Sequence, residues 1–266
     1  MHPVLFTFST PSFLRDYLPE EISIYSYGAM IFIGAIIASY YLTSQMKGRF
    51  SIKTDDSINL VIGIIIASVV GGKAFLYFEN PSMFNQNPMA LISNSGFVFF
   101  GSLIFSLGVV YFFIRKYKLA VWPFLDIIAI TTLIVHFFGR IGCFLAGCCH
   151  GLPHDGVFSV VFVNSQCAAE PLNTPLYPTQ LFSAFMLLSI LLVLLVIKKV
   201  QRFDGQLFLL YLMLYAIGRS IIEEFRGDEE RGFVFDGFLS HSQVIALLLF
   251  IAALFFYFSK LKSSKK

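Results

Sequence analysis

Seven stretches of the chain, roughly 26–43, 58–78, 97–114, 120–138, 180–197, 206–225 and 242–258, are apolar over close to a membrane thickness. A helix needs about 20 such residues to cross the hydrocarbon layer. Inside that layer no water is available to backbone N–H and C=O groups, so a helix, which satisfies them internally, is the structure such runs adopt. The expected fold is therefore an all-α polytopic membrane protein with seven transmembrane helices. The composition agrees: 57% of the 266 residues are hydrophobic and 13% are charged, against about 25% charged in soluble domains. Mean hydropathy is +0.76. A net charge of +3 is too small to suggest a nucleic-acid partner.

The basic residues set an expected orientation. Lys47, Arg49 and Lys53 follow the first run, Arg115, Lys116 and Lys118 the third, and Lys198, Lys199 and Arg202 the fifth. Lys260, Lys262, Lys265 and Lys266 form the tail. These thirteen of the 19 basic residues fall in alternate connections, which the positive-inside rule assigns to the cytoplasm. The N-terminus is then outside and the C-terminus cytoplasmic, and the connections 79–96, 139–179 and 226–241 face outward; the other six basic residues, Arg15, Lys73, Arg140, Arg219, Arg226 and Arg231, lie outside or within spans on the outer half. Residues 1–23 show no basic segment followed by an apolar core, so no cleavable signal peptide is expected. Phe6, Phe8, Phe13, Leu14 and Leu18 suit a short interfacial helix instead. The chain reads as one membrane-embedded domain over 1–266, with an interfacial segment at 1–25 and an outward-facing motif region at 139–179. Gly28, Gly34, Gly63, Gly71 and Gly72 would let helix backbones approach closely in lipid.

Two segments concentrate polar chemistry. In Gly139-Arg-Ile-Gly-Cys-Phe-Leu-Ala-Gly-Cys-Cys-His-Gly151, glycines permit tight turns or close approach. Arg140 offers a planar fork of donors that matches a phosphate or carboxylate. The bland alternative is an arginine reaching to the interface. In Tyr215-Ala-Ile-Gly-Arg219-Ser-Ile-Ile-Glu223-Glu-Phe-Arg226, spacings of four, four and three put the named side chains on one helical face, where Arg219 and Glu223 can pair. Charged residues in a span are costly and usually functional; a purely structural ion-pair network is the alternative. If this face meets Arg140, three guanidinium groups converge into an anion pocket of the kind that stabilises a departing phosphate. Cys143, Cys148, Cys149, His150 and His154 include zinc-type ligands, but only one half of a paired-ligand pattern is present, and packing residues or a disulfide fit it better. No metal or cofactor is assigned. Among the histidines, His150 and His154 beside the motif are better proton acceptors than His136, which reads as a core histidine.

These residues resemble the signature of the bacterial prolipoprotein diacylglyceryl transferases, Gly-Arg-x-Gly-Asn-Phe-x-Asn-x-Glu-x-x-Gly. The resemblance extends along most of the chain. Tyr25-Ser-Tyr27-Gly28 is similar to the family's aromatic-Tyr-Gly, Gly71-Gly-Lys73 to its Gly-Gly-Arg, and Phe99-Phe-Gly101-Ser to its Phe-His-Gly-Gly. Tyr177-Pro178-x-Gln180-Leu181 resembles its His-Pro-x-Gln-Leu, Tyr215 through Arg226 its Tyr-x-x-x-Arg-x-x-x-Glu-x-x-Arg block, and Ser242-Gln243 the start of its seventh span. The resemblance implies transfer of the diacylglyceryl group from phosphatidylglycerol to the cysteine thiol of a lipoprotein precursor signal peptide, in the bacterial inner membrane, with the active site toward the periplasm. It implies Arg140 and Arg219 as phosphate-binding catalytic residues, Arg226 as a third, and Tyr27, Gly151, Tyr215 and Glu223 as pocket residues among membrane lipids. Departures are specific. Cys143, Ala146 and Cys148 stand where the signature has Asn, Asn and Glu, and Phe100 stands where the family has its candidate basic histidine. Divergent members carry a similar Gly-Cys-Phe-x-x-Gly-Cys-Cys-Tyr-Gly block, with His150 here at the aromatic position. His150 or Glu223 is then expected to act as the base. A paralogue alkylating another acceptor, a non-enzymatic lipid-binding protein, and a metal or redox protein built on the cysteines are the alternatives.

Overall fold

A computed structural model describes residues 1–11, 21–82, 98–227, 233–234 and 239–264. It contains seven helices long and apolar enough to cross a membrane: α1 (Ser26–Phe50), α2 (Thr54–Glu79), α3 (Phe99–Tyr117), α4 (Val121–Ala146), α5 (Thr179–Lys198), α6 (Gln206–Glu223) and α7 (His241–Ser263). All seven runs expected from the sequence are helices. The fourth differs in length: α4 continues through Arg140 and Cys143 to Ala146, where the sequence suggested a connection from residue 139. The physical reason lies in what its glycines do. They sit within the helix and make room for α1. A side chain at Gly142 would lie 3.1 Å from the Tyr27 backbone, and one at Gly139 would lie 3.2 Å from Ile31. Small residues therefore serve helix packing here rather than a turn.

The chain divides into two compact units, Ser39–Phe124 and Met1–Ala38 with Leu125–Lys266. The first is built on α2 against α3. Gly71 and Gly101 oppose each other there: a Cβ on Gly101 would fall 2.7 Å from Phe75 Cγ, and one on Gly71 would fall 2.8 Å from Phe105 Cβ. Ser102 donates to the Ser68 carbonyl at 2.8 Å. Two of the family-like motifs, at 71–73 and 99–102, thus meet in one helix contact. Gly101→Ala should cost about 1–3 kcal/mol by overpacking, read as a lowered unfolding temperature in detergent. An unchanged temperature would show that the two backbones separate freely.

The second unit holds the rest. Its N-terminal segment corrects the expected interfacial helix. Val4–Ser9 (β1) pairs antiparallel with Glu21–Tyr25 (β2). Strict alternation over Phe6-Thr7-Phe8 and Ile22-Ser23-Ile24 is a strand period and not a helical one. Phe6 faces Ile24 and Phe8 faces Ile22, all four exposed, while Thr7 and Ser23 hydrogen-bond at 3.2 Å. Phe13, Leu14 and Leu18, with Arg15 and Arg231, lie outside the described residues.

Buried Asp126, near the start of α4, accepts hydrogen bonds from Gln201 Nε2 (2.6 Å), Gly205 N (2.8 Å) and Phe208 N (3.1 Å). It caps the first turn of α6, where a carboxylate opposes the helix dipole. The connection from Gly147 to Pro178 has its own small core of Phe162, Cys167, Ala169 and Leu176, against which Phe144 packs. Short pairs close it: β3 (Val160–Val161) with β4 (Pro175–Leu176), and, before α7, β5 (Phe233–Val234) with β6 (Leu239–Ser240). Helix α7 opens with a capping box, in which Ser240 and Gln243 bond each other's backbone reciprocally.

Candidate functional site

The site grows from the last turns of α4. Arg140 lies one turn beyond His136, and its Nε donates to His136 Nε2 at 3.4 Å. The His136 ring in turn sits 5.6 Å, centroid to centroid, from Tyr215 on α6. Arg140 and Arg219 both act electrostatically on His136. That imidazole is therefore the junction between the motif helix and the Tyr-Arg-Glu face of α6. A histidine four residues before an arginine is the signal, present in the sequence, that marks this contact.

On α6, Arg219 forms an ion pair with Glu223. The pair is largely buried, with side-chain exposures of 17% and 4%. Buried charges persist only when paired and hydrogen-bonded. The second Glu223 oxygen accepts from Ser242 Oγ at 2.7 Å, at the start of α7. Glu224, the next residue, accepts from Gln243 Nε2 at 2.6 Å. The Ser-Gln pair that opens α7 thus locks the end of α6.

The loop after α4 brings the remaining residues in. Gly147 and Cys149 both take left-handed backbone angles, with φ of 81° and 59°. The start of α5 holds this turn: Gln180 Nε2 donates to the Cys148 carbonyl at 2.7 Å and Thr179 Oγ1 to the Cys149 carbonyl at 2.8 Å. His150 has both ring nitrogens engaged, Nδ1 with the Gly151 carbonyl at 3.0 Å and Nε2 with the Glu170 N–H at 3.3 Å. Gly151 donates to the Tyr177 carbonyl at 2.8 Å, and Leu152 to the Phe225 carbonyl at 2.9 Å. Gly151 also bridges to Arg226. A Cβ on Gly151 would lie 2.6 Å from Tyr177 Cβ and 2.8 Å from Thr179 Cγ2, so glycine is what lets the loop lie against the end of α6.

The two sequence segments therefore meet. Arg226 acts electrostatically on Arg219 and on Cys149, and Arg140 also acts on Cys149. Tyr27, on the first turn of α1, lies among Arg140, Cys143, Cys148 and Cys149. Tyr27, Arg140, His150, Gly151, Tyr215, Arg219, Glu223 and Arg226 all belong to one compact unit. His154 stacks on Tyr177, 3.9 Å between centroids. With Phe158, Phe182, Phe185, Ile221 and Phe225 this pair lines an apolar groove of about 560 Å³ beside the loop.

The sulfur atoms of Cys143, Cys148 and Cys149 lie within 4.8 Å of one another, and all three thiols are free. Cys148 also donates to the Cys143 carbonyl at 3.8 Å. Hydrogen bonds from the Cys143 and Cys148 thiols hold Cys149 well below the ordinary thiol range, against the effect of burial, with Arg140 and Arg226 adding attraction. In the sequence Gln180 and Ser242 stand in family-like motifs, Cys143, Cys148 and Cys149 offer metal-type ligands, His136 reads as a core histidine, and Thr179 carries no signal of its own. Contacts between distant segments join them into one site.

Comparison with known proteins agrees with the motifs. The family model described as prolipoprotein diacylglyceryl transferase matches residues 17–259. A phosphatidylglycerol–prolipoprotein diacylglyceryl transferase of Clostridium tetani is 36% identical over 237 residues, covering 89% of this chain and 93% of that protein. Phosphatidylglycerol–prolipoprotein diacylglyceryl transferase 2 of Clostridium perfringens is 32% identical over 249 residues, covering 92% and 94%. A relative of the same name from Dehalococcoides mccartyi is 30% identical over 240 residues, covering 90% of each.

Proposed function

The chain belongs to the prolipoprotein diacylglyceryl transferase family, and we propose that it transfers the diacylglyceryl group of phosphatidylglycerol to the cysteine thiol of a lipoprotein precursor. The observation that carries the reading is that the three arginines neighbour shared groups. Arg140 and Arg219 both act on His136, Arg226 acts on Arg219, and Arg226 bridges to Gly151 in the loop. Guanidinium groups bind phosphate oxygens through parallel N–H donors, and in a site shielded from water that stabilisation is large.

In the reaction, the substrate's sulfur attacks the glyceryl carbon bonded to the phosphate oxygen. A carbon–sulfur bond forms, the carbon–oxygen bond breaks, and glycerol phosphate leaves with the electron pair. Arg140 and Arg219 bind that phosphate and stabilise its charge as it departs, with Arg226 as a third donor. The attacking species is the thiolate, so the thiol proton passes to a protein group. Of the two residues expected to replace the family histidine, Glu223 is the better acceptor. It is a carboxylate beside Arg219, whereas His150 spends both nitrogens on the loop backbone. His150 and Gly151 then shape the loop, and Tyr27 and Tyr215 line the pocket. The groove walled by Phe182, Phe185 and Phe225 suits an acyl chain or the apolar part of the signal peptide.

The seven helices make the chain a multi-pass membrane protein. Its proposed setting is the bacterial inner membrane. The N-terminus is outside, the C-terminus is cytoplasmic, and the site faces the periplasm, with the chain acting as one transferase domain. That orientation follows from the basic connections.

The test is transfer of radiolabelled diacylglycerol from phosphatidylglycerol to a lipobox peptide by the purified full chain. The expected product carries label on the cysteine peptide and none on its serine counterpart. Retention of labelled lipid without transfer would replace this reading with a non-enzymatic lipid-binding protein.

A further inference from the structure

The three clustered thiols are not needed for the reaction above, in which the substrate supplies the nucleophilic sulfur. We propose that Cys143, Cys148 and Cys149 form a three-thiolate site for one thiophilic metal ion of the zinc type. Geometry is the first support. A zinc ion bonds thiolate sulfur at about 2.3 Å, which places the sulfurs of a tetrahedral or trigonal site about 3.8–4.0 Å apart. Here the ligand sulfurs already lie within 4.8 Å of one another. Closing the widest pair thus takes about 1 Å or less of movement, within reach of a χ1 adjustment.

The second support is how the thiols are held. Cys143 projects from the last turn of α4 and is buried. The Cys148 and Cys149 carbonyls are fixed by Gln180 and Thr179, and Cys149 holds a left-handed backbone angle uncommon outside glycine. The protein therefore has a rigid turn that presents two adjacent sulfurs toward a third. Gly147, the hinge of that turn, permits the reversal out of α4.

The third support is charge. Three thiolates around a divalent ion leave one net negative charge, and Arg140 and Arg226 act on the cluster. That environment opposes a bare hard cation with oxygen ligands and favours an anionic metal–thiolate unit, in line with the preference of soft sulfur ligands for zinc or monovalent copper. Binding displaces up to three thiol protons to solvent. Cys167 is a natural control, since it packs in the apolar cluster beside Phe162 and outside the trio. Three protein ligands leave a fourth position open.

The test uses the reduced, metal-stripped full chain in detergent, with no lipid donor or peptide present. Its outcome is therefore independent of the transferase reading. Cd²⁺ titration, followed by the ultraviolet sulfur-to-metal charge-transfer band, should saturate at one ion per chain, and Zn²⁺ should compete. Cys143→Ser and Cys149→Ser should each weaken binding by more than the 10–100-fold typical of losing an outer-shell partner, whereas Cys167→Ser should bind as wild type. X-ray absorption of the zinc-loaded wild-type chain, which needs no variant to fold, should give a first shell containing three sulfurs. A shell of nitrogen and oxygen alone, or a titration that does not saturate, overturns the assignment. So does binding as tight as wild type by Cys143→Ser and Cys149→Ser.

Discussion

Arg140→Ala is expected to lower diacylglyceryl transfer by about 10²–10³-fold, the range for removing one donor to developing oxyanion charge. The argument rests on position and on chemistry. Arg140 sits on α4 with its Nε tied to His136, and in the proposed clamp its terminal nitrogens bind the phosphate. The proposed role is bidentate, so Arg140→Lys, which keeps the charge but loses the planar fork, should recover little of the activity. The fold should tolerate both changes, because the described ties of α4 to its neighbours run through Gly139, Gly142, His136 and Asp126. The measurement is label transfer to peptide at matched levels of monodisperse protein. Wild-type transfer by Arg140→Ala would remove the phosphate-clamp reading, while leaving thermal stability as a check that the variant is folded.

Glu223→Ala should act on structure as well as on activity. It strips Arg219 of its carboxylate in a buried setting and leaves Ser242 Oγ without its acceptor. Breaking a buried pair from one side costs about 3–5 kcal/mol, because the remaining charge is uncompensated. A clear drop in unfolding temperature is expected, together with loss of transfer. Glu223→Gln keeps the shape and an acceptor for Ser242 but cannot take a proton at neutral pH; like alanine it leaves Arg219 without a carboxylate, so its unfolding temperature is measured beside its transfer. If Glu223 is the base, this variant folds and fails to transfer, whereas His150→Gln, which disturbs only the loop bonds to Gly151 and Glu170, keeps partial activity. Transfer at the wild-type rate by Glu223→Gln would rule out the carboxylate as proton acceptor.

This region departs from the family signature without losing its form. Cys143, Ala146 and Cys148 replace polar signature positions, yet the turn they occupy is still held by Gln180 and Thr179 and still delivers Gly151 to Arg226. The residues that make backbone contacts keep the loop in place.

Much was legible in the chain itself. The seven spans followed from run length and hydropathy, because a membrane imposes a one-dimensional constraint that a sequence displays directly. The pairing of Arg219 with Glu223 followed from helical spacing, and the start of α7 from its Ser-Gln pattern. The N-terminal strand pair was hidden, because short apolar runs serve either structure and pairing depends on a partner about 20 residues away. The extension of α4 through Arg140 was hidden because glycine reads as a turn until a neighbouring helix is seen to occupy the space it leaves. Likewise, the union of His136, Tyr215 and the arginines, and the clustering of three sulfurs, required the tertiary fold. Local periodicity places a side chain on one face of its own helix. Only the packing of helices far apart in sequence decides which faces meet, and that meeting makes a phosphate clamp from separate arginines and a three-sulfur cage from cysteines on a helix end and a loop.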